Sequence, residues 1–379
     1  MKNKYFSKKW EQFKKELPHQ SGEMVKRNWG HNWHSMCSYQ GKLKPSIARS
    51  LIDTFMPSSK GRILDVFSGV GTIPFEARLL GHTAYGFDIS PAAVNISRAK
   101  LEVISKNEIQ EVINKLSDFI EQNKNSIDYN EHNLIRFNGS IESYFHPETF
   151  KEILCARKFF LIKGELNASE SLVQSCLLHI LHGNRPYALS RKSHPITPFA
   201  PTGDFIYSNL VIKLIKKVER VLQNSDGIPD TGSKVFYQDS TKSWPEEVNN
   251  LDAIITSPPF YDSTRFYSAN WMRLWFSGWE KDDFQTKPKD FVDETQKKSF
   301  EIYDNIFKQS QQCLKKDGVF LMHVGKSKKS DMAGQIAKIG SNYLSLIDIF
   351  DESVEHCESH GIKDKGTTTH HQYLVFTKD

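Results

Sequence analysis

The chain has 379 residues, long enough for one elaborated domain or two, and its 50 Lys and Arg against 45 Asp and Glu give a net charge of +5. This mildly basic balance permits an acidic partner without requiring one. The five cysteines form no C-x-x-C pair and no run of roughly 18 apolar residues occurs, which argues against a disulfide scaffold, a structural zinc site and a membrane helix. We therefore expect a cytoplasmic protein without a metal ion and without a membrane partner.

The first 45 residues combine basic, aromatic and loop-forming stretches. Residues 1–30 mix lysines with Phe6, Trp10 and Phe13, a pattern that favours a solvated amphipathic helix over a basic arm lying on phosphates. Residues 40–45 are loop-like, and Pro45 occupies a natural first-turn position of a helix. The sequence therefore predicts two helices before the first strand.

A longer segment then alternates strand and helix patterns around a glycine-rich turn. Ile63–Phe67 is an apolar strand that carries Asp65, and Ser68–Thr72 supplies two glycines. Tyr85–Phe87 begins a second strand, which ends at Asp88. In such a Rossmann-type unit the glycines let the backbone approach a ligand, and the later acid bonds vicinal ribose hydroxyls. The turn lacks the third glycine of the dinucleotide fingerprint, so a nucleoside without phosphates fits better.

A second motif lies at the end of Leu251–Phe260, an apolar run closed by two prolines. This pattern predicts a buried strand that breaks into a rigid loop, because proline fixes φ and has no N–H. We expect Ser257, the Pro258 carbonyl and the ring of Phe260 to line one pocket. A planar heterocycle with an exocyclic amine suits it, since the ring stacks while its NH2 donates to the two oxygens. An ordinary strand followed by a Pro-Pro turn is the alternative interpretation of this stretch alone.

Together, the two motifs D-V-F-S-G-V-G-T and T-S-P-P-F resemble those of exocyclic-amino DNA methyltransferases of the N4-cytosine and N6-adenine type, which use S-adenosylmethionine. The resemblance implies a Rossmann-like, doubly wound α/β sheet, mostly parallel with an antiparallel terminal strand, and S-adenosylmethionine as the cofactor. It assigns cofactor binding to Asp65, Phe67, Gly69, Gly71, Thr72, Asp88 and Asp239, and catalysis to Ser257, Pro258, Pro259 and Phe260.

Individual roles in cofactor binding are implied by position in these motifs. Thr72 is expected near the methionine carboxylate, Asp65 near the methionine amino group, and Asp88 at the ribose. Asp239 follows the next strand, where the family's acid or amide meets the adenine amine. The segment around Tyr39–Pro45 resembles the part of the family that closes over the methionine end.

Residues 105–230 interrupt the alternation of strands and helices. Ile104–Phe119 and Leu210–Leu222 have helical periodicity, and residues 184–203 form a loop dense in proline, arginine and aromatic residues. Between Arg185 and Arg220 there are seven Lys or Arg and two Asp or Glu. We expect this mainly helical insertion to recognise the target, and a structural excursion with a solvated basic helix is the alternative. The nucleic-acid contacts that we expect are Arg185, Arg191, Lys192 and Arg265.

The remaining chain completes the sheet. Residues 281–299 are charged and without periodicity, which indicates a mobile surface loop, and Phe300–Leu314 is an amphipathic helix. His370 and His371 have no third ligand at a zinc spacing, so we expect a polar loop near the substrate cleft there. Further strands are predicted at Lys234–Tyr237, Val319–Val324, Leu344–Phe350 and Tyr373–Thr377.

These patterns divide the chain into four parts. We assign residues 1–55 to an N-terminal arm and a cofactor-closing segment, and residues 56–104 to the first half of a catalytic domain. Residues 105–230 are the inserted recognition region, and residues 231–379 are the second half of the catalytic domain.

The resemblance implies in-line methyl transfer to a base flipped out of double-stranded DNA, with no covalent enzyme intermediate, because no Pro-Cys nucleophile loop is present. The family tends to place Asp or Asn where this chain has Ser257, so serine favours cytosine N4. A restriction-modification context with a cognate nuclease is allowed by this family. The alternatives are N6-adenine methylation, RNA amino-methylation and a non-catalytic nucleic-acid-binding subunit with the same fold.

Overall fold

The computed structural model describes residues 6–26, 28–57, 59–127, 137, 139–183, 186–194, 198–261, 265–327, 330–353 and 368–379. Within these residues seven strands form a single sheet. The strands are β1 (Arg62–Asp65), β2 (Thr83–Asp88), β3 (Lys234–Tyr237), β4 (Leu251–Thr256), β5 (Leu314–Ser327), β6 (Ser345–Ser353) and β7 (Thr368–Thr377).

The strand order is β3-β2-β1-β4-β5-β7-β6. Strands β3, β2, β1, β4 and β5 pair in parallel, whereas β7 is antiparallel to both β5 and β6. The order reverses between β1 and β4, so the carboxyl ends of these strands flank the crevice where open α/β sheets bind ligands. The predicted Rossmann-like methyltransferase fold, mostly parallel with an antiparallel terminal strand, is confirmed.

Helices cover both faces of the sheet. They are α1 (Ser7–Glu16), α2 (Pro45–Phe55), α3 (Thr72–Leu79), α4 (Pro91–Leu101), α5 (Lys106–Asn123), α6 (Pro147–Lys163), α7 (Ala168–Ile180), α8 (Leu210–Leu222), α9 (Phe266–Ala269), α10 (Trp271–Phe276), α11 (Asp283–Thr286), α12 (Val292–Thr295), α13 (Asp304–Cys313) and α14 (Met332–Gly340). Shorter 3-10 turns are Pro18–Gln20, Gly22–Val25, Asn32–Ser35, Ile141–Tyr144, Lys287–Asp290 and Phe300–Tyr303.

Successive strand residues enter different cores because side chains alternate across a pleated strand. On β1, Ile63 packs with α2 and α3, whereas Leu64 packs on the opposite face with α13 and α14. Both faces are buried, which is why the strands read as short continuous apolar runs.

Two expectations about local structure need correction. The N-terminal part is not an arm, because α1 buries Trp10 and Phe13 against Phe55 of α2, and the Trp10 N–H donates to Asp348 of β6. Its aromatic residues therefore extend the core.

Residues 281–299 are not an unpatterned surface loop. They form α11, a 3-10 turn and α12, and they bury Phe291, Val292 and Gln296. The apolar residues that hold this segment in place are irregularly spaced along the chain. Its sequence therefore lacks the helical periodicity that would have predicted these short helices.

Helices α5 to α8 lie between α4 and β3 in the chain, and α7 packs against α4 of the sheet domain. Asn209 caps α8, its side chain accepting from the N–H of Ile212. One apolar cluster runs through α4 and all four of these helices. The insertion therefore shares its core with the catalytic domain, while the domain boundaries and the recognition role stay predictions. No helix in the described ranges is long and apolar enough to cross a membrane.

Candidate active site

The two sequence motifs meet at the carboxyl ends of β1 and β4. The Thr256 hydroxyl donates to Oδ1 of Asp65 at 2.6 Å, and the N–H of Phe67 donates to the same oxygen at 3.1 Å. Parallel pairing of β1 with β4 makes this contact possible. Burial raises the pKa of Asp65 to about 7, against the lowering effect of these two hydrogen bonds. The residue before Ser257 is thus bonded directly to the first acid of the cofactor motif.

The glycine loop is tethered to the end of β2. The N–H of Gly69 donates to Oδ2 of Asp88 at 2.9 Å, and the N–H of Ser90 donates to its Oδ1 at 2.7 Å. Burial raises the pKa of Asp88 to about 6, and both of these hydrogen bonds lower it. Each carboxylate oxygen can accept a further hydrogen bond, so the pair of ribose hydroxyls expected here still has acceptors.

Gly69 and Gly71 have different structural roles. Both have positive φ, +50° and +70°, which favours glycine. A Cβ at Gly69 would meet no atom within 4 Å, whereas a Cβ at Gly71 would lie 2.4 Å from Oγ of Ser97 on α4. Gly69 therefore leaves open space beside the cavity, and Gly71 lets the loop approach the helix.

A cavity of about 360 Å3, counting its open mouth, lies above this edge. Five of the predicted site residues line the cavity, namely Asp65, Phe67, Gly69, Thr72 and Ser257. The other predicted cofactor and catalytic residues, Gly71, Asp88, Asp239, Pro258, Pro259 and Phe260, are not among its lining residues.

The segment before α2 forms the opposite wall. Tyr39, Gly41, Lys42 and Leu43 line the cavity together with Phe266 of α9. The ring of Tyr39 packs edge-on against Phe266, and its hydroxyl lies 2.9 Å from that of Ser90. This segment therefore lines the same cavity as the glycine loop, and its closure over the cofactor stays a prediction.

Of the S-P-P-F loop, Ser257 lines the cavity and the other three residues do not. Phe260 is half-buried, with its ring against Gly325 of β5, where a Cβ would lie 2.4 Å from the ring. The Pro259 carbonyl accepts from the Gln296 amide at 2.9 Å, and Gln296 in turn accepts from the hydroxyl of Tyr303. Phe260 is not among the residues that line the cavity, so a single pocket shared by Ser257 and Phe260 stays a prediction.

Several residues that support the site are absent from both motifs. The buried Lys100 ammonium donates to the Val70 carbonyl of the glycine loop at 2.6 Å, and burial lowers the pKa of Lys100 to about 7. Sequence reasoning also missed Gln296, which lies in a stretch without periodicity. Gly325 had a signal, since an isolated glycine inside a strand indicates close approach of another group.

The remaining predicted residues are distributed over the surface. Oδ1 of Asp239 accepts from the N–H and the hydroxyl of Thr241. Arg191 donates to the carbonyls of Ser143 and Gly203 and packs its guanidinium over Phe205, whereas Lys192 is exposed. Arg191 thus stabilises the loop to which it belongs.

Two arginines near the catalytic loop differ in exposure. Arg265 is exposed and lies 3.3 Å from Glu294, so it is accessible to a phosphate. Arg273 is fully buried on α10, so it is not accessible to a phosphate. Arg185 lies outside the described residues.

Residues 33–131, which include β1, the glycine loop and β2, match the family model UPF0020, described as an RMKL-like methyltransferase domain. The comparison supports an S-adenosylmethionine-dependent methyltransferase. The predicted cofactor, S-adenosylmethionine, is therefore confirmed for this methyltransferase domain.

Relatives of this methyltransferase are distant. Type II methyltransferase M.BsoBI of Geobacillus stearothermophilus is 25% identical over 272 residues, which are 63% of this chain and 51% of the relative. The chain thus spans about half the length of that curated relative.

Two solved structures align with most of this chain at low sequence identity. TrmN from Thermus thermophilus is 11% identical, with a TM-score of 0.35 and coverage of 90% of this chain and 50% of that one. Geranyl diphosphate C-methyltransferase from Streptomyces coelicolor is 7% identical, with a TM-score of 0.37 and coverage of 89% and 79%. At these TM-scores the structures carry no argument about the substrate.

Proposed function

We propose that this methyltransferase transfers a methyl group from S-adenosylmethionine to the exocyclic amine of a base flipped out of DNA, and that the base is cytosine, methylated at N4. The observation that carries the proposal is that Ser257 of the S-P-P-F motif lines the same cavity as Asp65, Gly69 and Thr72. One cavity thus joins the predicted cofactor residues to the group expected to receive the amine.

The cavity suits the cofactor in two physical respects. A buried carboxyl with a pKa raised to about 7, as in Asp65, gains a partner when a cationic ammonium binds. The open space beside Gly69 admits a ligand close to the backbone, next to the Asp88 carboxylate. Bound S-adenosylmethionine supplies an electrophilic methyl group. Asp65 would hold its amino group, and Asp88 would hold its ribose.

The chain's own contribution to transfer is orientation of the nucleophile. Ser257 Oγ accepts a hydrogen bond from the exocyclic NH2, which turns the nitrogen lone pair outward and becomes stronger as the nitrogen gains positive charge. In-line transfer would form the nitrogen–carbon bond as the carbon–sulfur bond breaks, with S-adenosylhomocysteine as the leaving group and the surplus proton on nitrogen passing to solvent. Serine in place of the family's Asp or Asn supports cytosine, and similarity to a Type II methyltransferase supports DNA.

The test is incubation of the full chain with labelled S-adenosylmethionine and either double-stranded DNA, single-stranded DNA or RNA, followed by nucleoside analysis. We expect label in DNA as N4-methylcytosine. N6-methyladenine would overturn the choice of base, label in RNA alone would overturn the choice of polymer, and no transfer to any of them would overturn the proposal. A cognate nuclease is not part of the proposal.

Replacing Asp88 with alanine is expected to weaken S-adenosylmethionine binding by about 1–3 kcal/mol, the range for hydrogen bonds to a charged group. The carboxylate would no longer accept from the ribose and would also release the Gly69 loop. Titration calorimetry measures the change, and Asp88→Asn, which retains one acceptor oxygen, is the matched control. Unchanged affinity in Asp88→Ala would remove the ribose assignment.

Cofactor affinity is expected to rise as pH increases from about 5.5 to about 7.5. Asp65, with a pKa of about 7, and Asp88, with a pKa of about 6, are protonated at the lower end, and each must lose its proton to bind a cation or to accept fully from hydroxyls. Calorimetry in buffers of different ionisation enthalpy should detect proton release. Asp65→Asn should flatten the profile, and a pH-independent wild type would contradict the assignment.

Neutralising Lys192 is expected to weaken DNA binding and to reduce the slope of log K against log salt by about 1, since one phosphate contact is lost. Arg191→Gln should act differently, because its guanidinium holds the carbonyls of Ser143 and Gly203 and its loss loosens the loop. Lys8→Gln, an exposed lysine of α1, is the matched control. An unaltered slope in Lys192→Gln would place the phosphates elsewhere.

A further inference from the structure

A buried histidine that belongs to neither sequence motif supports the catalytic serine. Nδ1 of His323, on β5, lies 3.1 Å from Oγ of Ser257. The imidazole is 2% exposed, and its Nε2 has no hydrogen-bond partner among the described residues. The rings of Phe260, His371 and Tyr373 surround it at centroid distances of 5.6, 4.8 and 5.0 Å. Ser257 is therefore the polar contact of this ring on the cavity side.

The surroundings keep the imidazole neutral. Burial lowers the pKa of His323 well below its usual value, and the facing His371 on β7 lowers it further. Glu352 on β6 raises it, but that carboxylate is paired with His19 at 2.7 Å, and His19 opposes its effect. A neutral imidazole carries one N–H and one lone pair, so either ring nitrogen can be the acceptor.

We propose that His323 is a positioning residue that makes Ser257 a hydrogen-bond acceptor toward the target base. With the lone pair on Nδ1, His323 accepts the Ser257 O–H, so the only hydroxyl hydrogen points away from the cavity. The serine oxygen then presents lone pairs to the ligand. This inference rests on the proposed function, and it deepens that function by stating how the site selects its substrate.

The consequence is discrimination between an amine and a carbonyl at the same ring position. An exocyclic NH2 donates to the serine oxygen, whereas a carbonyl oxygen in its place faces lone pairs and loses its hydrogen bonds to water. The arrangement therefore accepts cytosine and rejects uracil or thymine. The opposite tautomer, with hydrogen on Nδ1, would donate to the serine and turn its hydroxyl hydrogen toward the cavity, which favours a carbonyl.

A double-mutant cycle on the full chain tests the proposal. Single-turnover methyl transfer to cytosine-containing DNA is measured at saturating S-adenosylmethionine for wild type, Ser257→Ala, His323→Leu and the double variant. We expect His323→Leu to slow transfer by roughly 10- to 100-fold, with unchanged cofactor affinity. In the Ser257→Ala background the same change should cause no further loss, because His323 acts through the serine.

The outcomes distinguish a failure of the proposed function from a failure of the role assigned to His323. Full activity of Ser257→Ala would overturn the proposed function. A slow Ser257→Ala combined with an equal loss from His323→Leu in both backgrounds would leave that function standing and overturn the role of His323.

A second measurement does not depend on the folding of any variant. NMR of the wild-type chain with 15N-labelled histidine reports the tautomer of His323 directly. We expect hydrogen on Nε2, and hydrogen on Nδ1 would overturn the proposal.

Discussion

Ser257→Ala is expected to lower the rate of methyl transfer by roughly 10²–10³-fold, the loss typical of removing one donor or acceptor that acts on charge in the transition state. The serine oxygen contributes little before reaction, since its hydrogen bond strengthens only as the target nitrogen becomes positive. Cofactor affinity should change little, because Asp65, Gly69 and Thr72 keep their positions in the cavity. Single-turnover kinetics and calorimetry on the same preparation measure both quantities.

A matched control for this substitution is Ser341→Ala, which removes an exposed hydroxyl at the end of α14. It should retain the wild-type rate. If Ser257→Ala were as fast as this control, or if it lost cofactor affinity and rate in equal proportion, the serine would not act on the target amine.

Gly71→Ala is expected to destabilise the fold by about 2–5 kcal/mol and to abolish cofactor binding. The left-handed conformation at φ +70° costs about 1–2 kcal/mol for a residue with a Cβ. The new Cβ would also lie 2.4 Å from Oγ of Ser97, and overpacking of this kind costs about 1–3 kcal/mol. Urea denaturation measures the free energy of unfolding, and calorimetry measures the binding.

Gly69→Ala is the matched control for the overpacking of the new Cβ against Ser97. Its φ is +50°, but its Cβ would meet no atom within 4 Å, so only the conformational cost of about 1–2 kcal/mol applies. Adding Ser97→Ala to Gly71→Ala should recover part of the stability, because the closest atom is removed. Equal destabilisation in Gly69→Ala and Gly71→Ala would show that packing against α4 does not matter.

The cavity couples these two predictions, because the glycine loop and the catalytic loop are joined at one edge of the sheet. Thr256 bonds Asp65, and Asp88 bonds Gly69, so the carboxyl ends of β4, β1 and β2 form one hydrogen-bonded row. A change in the glycine loop should therefore also affect Ser257. Measuring transfer as well as cofactor binding in Gly69→Ala would detect this coupling.

Features that depend on local chemistry could be predicted from the amino-acid sequence. Glycines separated by one residue predicted the loop after β1, two prolines predicted the end of β4, and Pro45 marked the first turn of α2. The periodicity of apolar residues predicted helix α8 at Leu210–Leu222 and strand β3 at Lys234–Tyr237, because helices and strands have different repeats. The order of strands and helices along the chain also predicted the Rossmann-like fold class and the inserted region.

The distant residues that complete the site are brought together by the packing of the sheet and could not be predicted from spacing. Thr256 and Asp65 are 191 positions apart, and Ser257 and His323 are 66 apart, yet strand order makes each pair neighbours. The same sheet placed Gly325 against the ring of Phe260. Residue spacing encodes contacts within one helix or strand, whereas contacts between strands depend on register and order, which arise from packing the whole chain.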